Sequence, residues 1–276
     1  MGTLVRRWRS AAVALGFSGA AACAVSIQEE IQLGDQYAAE IDKTLPVVHV
    51  PAVQAALDQA ARPVIAEAVR QNLAWTFRVV NTADVNAFAV PGGHIYVTRG
   101  LIEHAASYDQ LAGVLGHEIG HVDLRHSAEQ IEKARAASLG VNLGYLILGR
   151  QPGQTESDAF NIAATAIFAK FSRDDEREAD HAAVRYLTAA GINPGGITGM
   201  FHILQEVSGR DPSAIEQFFA SHPMTGDRIT DVERVIAADS AAQAATRTGR
   251  TDAPVFHDLQ RAVRALPPPP KPRSNP

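Results

Sequence analysis

Apolar and polar residues at the start of the chain follow a helical period. The pattern indicates two polar-faced helices, Ile27 to Leu45 and Val53 to Leu73, which Pro46 and Pro51 separate. Pro63 is expected to kink or restart the second helix, because proline cannot donate the hydrogen bond of a helix interior. The first part of the chain is therefore predicted to be helical.

Three short segments then alternate apolar and polar residues with a period of two. They are Trp75 to Val80, Asn86 to Val90 and His94 to Thr98, and residues 81–84 and 91–93 between them have turn composition. The pattern predicts a small β-meander, followed by helical sequence almost to residue 240. The predicted fold class is α+β, mostly helical with a small sheet.

One predicted helix carries a metal-binding motif. Tyr108 to Arg125 has apolar residues at helical spacing and contains His117-Glu118-Ile119-Gly120-His121. Residues four apart lie on one face of a helix, so His117 and His121 present their imidazoles to the same point. Two neutral imidazoles at this spacing suit Zn²⁺ and leave room for a third protein ligand and a water. Glu118, beside that water, is the expected general base.

The alternative to a metal site is an accidental match on a solvated helix, since the chain has ten histidines. Three glycines on the same helix favour the functional interpretation. Gly113, Gly116 and Gly120 each cost roughly 1 kcal/mol relative to alanine. Such a cost implies close packing by a neighbouring backbone, as expected for a buried active-site helix.

A third zinc ligand must come from elsewhere in the chain. The position ten residues after His117, where metzincins carry a histidine, is Ser127. His126 is one residue short, and we expect it to be a surface residue or to lie behind a ligand. The other source is a carboxylate from the later helix that begins at Ser172.

That later helix is rich in acids. Ser172 is a natural N-cap with Asp175 three residues on, and Gly191 and Pro194 are expected to end the helix. Glu176 and Asp180 share one face, so one can bind zinc while the other braces a ligand histidine. Spacing alone does not separate Glu176 from Glu178, and a solvated charged face is the alternative.

Composition excludes several classes of function. The chain has 276 residues, is 46% hydrophobic and 20% charged, and has a formal net charge of −5. It has no basic patch with interleaved aromatics, so no nucleic-acid partner is expected. The single cysteine cannot form an intramolecular disulfide. No Gly-x-Ser-x-Gly elbow and no phosphate-binding loop with lysine is present.

The N-terminus has the pattern of an export signal. Arg6, Arg7 and Arg9 precede the apolar segment Ser10 to Ala22, which is too short to span a bilayer. Cys23 follows small residues and is expected to be lipidated, which would tether the protein to the outer membrane from the periplasm. An ordinary cleaved signal with a bystander cysteine is the alternative.

Four motifs in this order resemble the gluzincin metallopeptidases of the CaaX-protease and HtpX type. They are the zinc motif, the acidic helix around Glu176, the segment Asn86 to Leu101 and the segment Ser221 to Ile229. The similarity extends from about Ile31 to Val235 and is greatest to the exported, BepA-like lipoprotein branch. We expect the tetratricopeptide domain of that branch to be missing here, because the sequence has no such periodicity.

The resemblance implies which residues form the site. It implies Glu176 as the third zinc ligand and Asp180 as the partner of a ligand histidine. It also implies that Asn86 to Val97 borders the active-site cleft, where an extended substrate adds as a strand. His222 has three interpretations. It is a fourth ligand that keeps the enzyme latent, or His222 or Arg228 stabilises the oxyanion of the tetrahedral intermediate. In the third interpretation, both residues are structural and hold a loop in place.

The sequence therefore predicts a zinc-dependent endopeptidase that cuts unfolded or misassembled cell-envelope polypeptides. The alternative is a periplasmic chaperone or assembly factor that has a zinc site and little proteolysis. The predicted division is a signal peptide at residues 1–22, a metallopeptidase domain at residues 23–245 and a C-terminal segment at residues 246–276 with a disordered proline-rich tail.

Overall fold

The computed structural model describes residues 24–147, 169–224 and 226–270 of the chain. These residues form helices around one three-stranded sheet, so the predicted mostly helical α+β class is confirmed. The predicted signal peptide, Cys23 and residues 271–276 of the predicted tail lie outside the described residues. None of the described helices is long and apolar enough to cross a membrane.

Helices precede and follow the strands of the sheet along the chain. The strands are β1 (Thr76–Val80), β2 (Ala87–Val90) and β3 (His94–Thr98). The α-helices are α1 (Ile27–Thr44), α2 (Pro51–Ile65), α3 (Arg99–His104), α4 (Tyr108–Asp123), α5 (His126–Ile147), α6 (Arg173–Ala189), α7 (Gly196–Arg210), α8 (Glu216–Ser221), α9 (Asp227–Ala238), α10 (Ser240–Thr248) and α11 (Pro254–Arg264).

The sheet differs from the predicted meander. Its strand order is β1-β3-β2, with β1 parallel and β2 antiparallel to β3. The outer side of β1 is occupied by residues 47 and 48, because Val48 N donates to Val79 O at 2.8 Å and Val47 forms a bridge with Val80. Alternation along the sequence identifies the strands but carries no information about their order. The strand left at the open edge is β2.

The second helix is shorter than predicted. It ends at Ile65 rather than Leu73, with Pro63 inside its last turn. The helix ends early because the backbone N–H groups that follow it have an acceptor outside the helix. Val69 N and Arg70 N donate to the carboxylate of Asp123 at 2.6 Å and 3.0 Å. This contact ties residues 66–73 to the end of α4.

The predicted start and end of α6 are confirmed. Ser172 Oγ accepts from Asp175 N at 3.1 Å, and Asp175 Oδ2 accepts from Ser172 N at 2.9 Å, which completes a capping box. Gly191, just after the helix, has φ +65°, a conformation that favours glycine. The acidic first turn of α6 is therefore fixed in place by local sequence.

The close packing predicted from the glycines of α4 is also confirmed. A Cβ added at Gly116 would lie 3.2 Å from Ala183 Cβ, and one at Gly120 would lie 3.1 Å from both Ala179 O and Ala182 Cβ. These contacts are tight, so α6 runs directly against α4. The approach brings the carboxylates of α6 to the histidines of α4.

Helical structure continues past residue 240, further than the sequence pattern indicated. The last helix, α11, lies in the segment assigned to a C-terminal piece after residue 245, yet it shares the main core. Phe256, Leu259 and Val263 are buried at helical spacing, and α11 packs on α2. Gln260 Nε2 also donates to Ile102 O and Ala105 O at 3.0 Å and 2.9 Å.

Candidate metal centre

Four buried side chains converge between α4, α6 and the segment that follows α8. His117 and His121 lie one turn apart on α4, with their Nε2 atoms 3.0 Å apart. Glu176 on α6 places Oε1 3.4 Å from His121 Nε2 and Oε2 3.6 Å from His117 Nε2. His222 places Nδ1 3.0 Å from Glu176 Oε1. One donor atom from each residue lies within 4.8 Å of the other three.

The structure thus brings together the three predicted zinc ligands and adds His222 as a fourth donor. Glu178, which spacing alone did not separate from Glu176, has 64% of its side chain exposed and belongs to another contact. The remaining histidines are not part of the group of four; they are His49, His94, His104, His126, His181, His202 and His257.

The surroundings of the ligands set their protonation states. Burial, and then the neighbouring His117, hold the pKa of His121 well below its usual range. Burial alone would raise the pKa of Glu176, but the charge of His222 and hydrogen bonds from His121 and His222 hold it well below its usual range. A neutral imidazole and an ionised carboxylate are the forms that bind a metal ion.

Asp180 and Arg228 support the ligands from behind. Asp180 Oδ1 lies 2.8 Å from His117 Nδ1, the ring nitrogen that faces away from the other donors. Arg228 Nε and Nη2 donate to Asp180 at 2.8 Å and 2.7 Å, and its Nη1 lies 2.5 Å from Glu176 Oε2. Burial would raise the pKa of Asp180, but Arg228 and His117 lower it. Because both ends of the guanidinium are engaged, the contacts favour a positioning role for Arg228 over direct binding of an oxyanion.

Two further residues fix the ring of His121. His126 is buried and places Nδ1 2.8 Å from His121 Nδ1, so it lies behind a ligand rather than at the surface. Phe171 stacks on His121 with ring centroids 4.0 Å apart. The sequence pattern did not single out Phe171. No local signal marks it either, because its position before the N-cap Ser172 would form a hydrophobic staple only with an apolar N4 residue, and that residue is Glu176.

Glu118 is the catalytic candidate that lacks a partner. Its side chain is buried, and Oε1 accepts no hydrogen bond from any residue in the described part of the chain. His222 Nε2 lies 3.6 Å from this oxygen, beyond hydrogen-bonding distance. A buried carboxylate oxygen without a donor is costly unless water or an ion satisfies it. The donor set and this unpaired oxygen together fit a zinc ion with a water beside Glu118.

A cleft begins at His222, one of the four donors, and runs along the edge of the sheet. It has a volume of about 490 Å³ and lies between α1, β2 and α8, with Asn86, Phe88 and His222 among its lining residues. The segment that was expected to border the active-site cleft therefore does so through β2.

The family model described as peptidase family M48 matches residues 51–236, more than half of the chain. All four donors lie in the matched segment. The chain belongs to peptidase family M48. The predicted enzyme class, a metalloendopeptidase, is confirmed at the level of this family. The metal dependence of M48 peptidases agrees with the buried donors.

The relatives that the chain matches include bacterial and mitochondrial proteases. The chain is similar to the beta-barrel assembly-enhancing protease of Yersinia pestis, with 27% identity over 218 residues that cover 76% of this chain and 44% of the relative. It is 33% identical over 177 residues to metalloprotease YcaL of Escherichia coli, covering 63% of this chain and 68% of YcaL. It is 30% identical over 192 residues to the mitochondrial metalloendopeptidase OMA1 of Schizosaccharomyces pombe, covering 70% of this chain and 55% of OMA1.

These relatives confirm the predicted resemblance to BepA-like peptidases, while the assignment to a lipoprotein branch stays a prediction. The chain spans less than half the length of the beta-barrel assembly-enhancing protease that it matches.

Proposed function

We propose that the protein is a zinc-dependent endopeptidase that hydrolyses unfolded or misassembled cell-envelope proteins. The observation that carries the proposal is the convergence of His117 Nε2 and His121 Nε2, 3.0 Å apart, on the carboxylate of Glu176. Two imidazoles and one carboxylate are a ligand set typical of catalytic zinc sites. The relatives named metalloprotease and metalloendopeptidase support the same chemistry.

In the proposed mechanism each residue has a separate task. His117, His121 and Glu176 would hold Zn²⁺, which supplies a Lewis acid that lowers the pKa of a water and polarises the peptide carbonyl. Glu118 accepts a proton from the attacking water through its unpaired Oε1 and delivers it to the leaving amine. Asp180 keeps the proton of His117 on Nδ1, so that Nε2 stays free to bind the metal.

The substrate is proposed to bind as an added strand along β2. Thr98 N donates to Asn86 O at 3.0 Å, which makes this pair a hydrogen-bonded pair of the β2–β3 ladder. Such pairs alternate along an antiparallel ladder, so Ala87 and Ala89 direct their N–H and C=O groups to the open edge. A peptide paired there is held through its backbone. This mode of binding suits unfolded chains of varied sequence.

One observation favours a second candidate function, a chaperone or assembly factor with little proteolysis. His222 completes a group of four donors, and four protein ligands are typical of closed, structural zinc sites. We propose instead that His222 is a latency ligand that leaves the metal when substrate binds. The buried, unpaired Glu118 supports this choice, because a structural site has no use for that carboxylate.

Degradation of casein by the purified protein distinguishes the two functions. The zinc-loaded protein should degrade casein, a chelator should stop it, and Glu118→Gln should lower the rate by about 10²- to 10⁴-fold while zinc stays bound. Glu233→Gln, at an exposed position of α9, is the matched control. If one zinc is bound and neither casein nor an unfolded envelope protein is cut, the chaperone hypothesis replaces this proposal.

The proposed location is the periplasm, with a lipidated Cys23 as tether to the outer membrane. The name of the Yersinia pestis relative, which refers to beta-barrel assembly, supports an envelope location and an envelope substrate. Mass spectrometry of the mature N-terminus tests the tether. A diacylated Cys23 is expected, and an unmodified N-terminus after cleavage would leave a freely soluble periplasmic protein.

A further inference from the structure

The cleft beside β2 contains an apolar pocket. Binding a substrate through its backbone alone would not require such a pocket. Its volume of about 490 Å³ falls in the range of sites that enclose small ligands. Its walls are largely carbon and come from α1, β2, α8 and the segment before α6, with Tyr37, Ile41, Leu45, Phe88, Phe171 and Ala220 among the apolar members.

The pocket lies on the side of the sheet that faces α1. Phe88 stacks on Tyr96 with ring centroids 5.0 Å apart, and Tyr96 Oη donates to Asp42 Oδ1 of α1 at 3.1 Å. Side chains alternate between the two faces along a strand. A peptide paired with β2 therefore directs every second side chain toward α1, and one of these positions reaches the pocket.

The wall formed by α1 is held in place by buried charge. Glu30, in the first turn of α1, is buried; its Oε1 lies 2.6 Å from Arg70 Nη1 and its Oε2 lies 2.9 Å from Arg125 Nε. Arg70 Nη1 also donates to Val122 O at 2.9 Å, at the end of the helix that carries the zinc motif. This wall precedes the segment matched by the family model, which begins at residue 51.

We infer that this pocket is a specificity pocket for a large apolar side chain, aromatic or branched aliphatic, and that α1 determines the specificity. The inference rests on the proposed function, because it places an extended peptide along β2. Glu40 also lines the pocket, and its carboxylate is exposed and pairs with Lys43 at 3.5 Å, so the buried walls remain apolar. Burying a methylene in such a pocket changes kcat/KM by roughly 10-fold or more.

The test changes the pocket from its α1 side. Thr44 is an exposed lining residue at the end of α1, and Thr44→Trp is expected to fill the pocket, which His117, His121 and Glu176 do not line. Lys43→Trp is the matched control, because the neighbouring Lys43 does not line the pocket. Each protein digests the same mixture of unstructured peptides, and mass spectrometry reads the cut sites.

Wild type and Lys43→Trp should enrich Phe, Tyr, Leu or Ile at one fixed distance from the cut. Thr44→Trp should shift that position to Ala, Gly or Ser, with the ratio of kcat/KM for a Phe peptide over its Ala counterpart at least about 10-fold lower. Lys43→Trp, outside the pocket, should cut both peptides at close to the wild-type rates. Absence of any apolar preference in wild type, or the same preference in Thr44→Trp, overturns the inference.

A binding measurement tests the pocket without any cleavage. It therefore decides the inference even if the protein cuts no peptide and the proposed function fails. The probes are a fluorescein-labelled eight-residue peptide of Ser and Gly with one central Phe, and the same peptide with Ala. Fluorescence anisotropy should show at least about 10-fold tighter binding of the Phe peptide to wild type, and a loss of that difference in Thr44→Trp. Equal affinities of wild type for both peptides overturn the inference.

Discussion

Arg228 grips Asp180 through two hydrogen bonds, from Nε to Oδ2 at 2.8 Å and from Nη2 to Oδ1 at 2.7 Å. Its third nitrogen, Nη1, lies 2.5 Å from Glu176 Oε2. One residue of α9 thus balances the charge of both buried carboxylates that α6 directs at His117 and His121. The fork geometry of a guanidinium makes this arrangement specific for arginine.

Arg228→Lys should therefore weaken zinc binding by about 10- to 100-fold, because a single ammonium cannot hold both carboxylates in place. Competition with a fluorescent chelator measures the Kd. Arg234→Lys is the control, since Arg234 lies on the same helix with 69% of its side chain exposed and pairs with Asp231. Equal zinc affinity of the two variants would contradict a positioning role for Arg228.

His222→Ala should increase the rate of casein degradation several-fold while zinc stays bound. The reason is that His222 contributes one of the four converging donors, and its removal leaves a position for water. A collapse of activity with zinc retained would assign His222 to catalysis instead. No change would contradict both roles and leave His222 as a loop anchor. His181→Ala, at a histidine that pairs with Asp231 away from the donors, is the control.

Glu30→Ala should lower the free energy of unfolding by about 3–5 kcal/mol. The substitution leaves Arg70, whose side chain is only 11% exposed, without its carboxylate, and breaking a largely buried ion pair from one side has a cost of this size. Urea unfolding followed by circular dichroism gives the value. Glu40→Ala, at an exposed ion pair of the same helix, should cost less than about 1 kcal/mol. Similar losses in the two variants would show that α1 is not fixed through Glu30.

Asp180 should make the metal-free protein sensitive to acid. Its pKa is lower in the folded state than in the unfolded chain, so its contribution to stability is present above about pH 4 and is lost as the pH falls toward the folded pKa. Urea unfolding with a chelator present should show this loss, up to about 1.4 kcal/mol per pH unit from this group. Asp180→Asn should flatten the dependence, and the exposed Asp258→Asn should not. An unchanged slope in Asp180→Asn would contradict the assignment.

The sequence was sufficient to predict the two helices of the site, because the residues that determine them are close together in the chain. The i, i+4 spacing of His117 and His121 and the capping box at Ser172 depend on neighbours a few residues away. The glycine at position 116 also reports on packing, because a side chain there would meet α6. These features identify which helices carry the metal ligands.

The remaining features depend on contacts between distant parts of the chain. The parallel pairing of β1 with β3 leaves no trace in the alternation of either strand. The early end of α2 depends on Asp123, more than 50 residues later, accepting from Val69 N and Arg70 N. Arg228, Glu176 and Asp180 meet only because α6 and α9 pack together, so spacing alone left Glu176 and Glu178 unresolved.

Zinc titration of the metal-free protein tests the central claim most directly. The fluorescence of a competing chelator should show one zinc bound per chain in wild type. His121→Ala and Glu176→Gln should each lose that tight site, since each removes one of the converging donors. A wild-type protein that is folded and takes up no zinc, or variants that bind it as tightly as wild type, would contradict a zinc centre between α4 and α6.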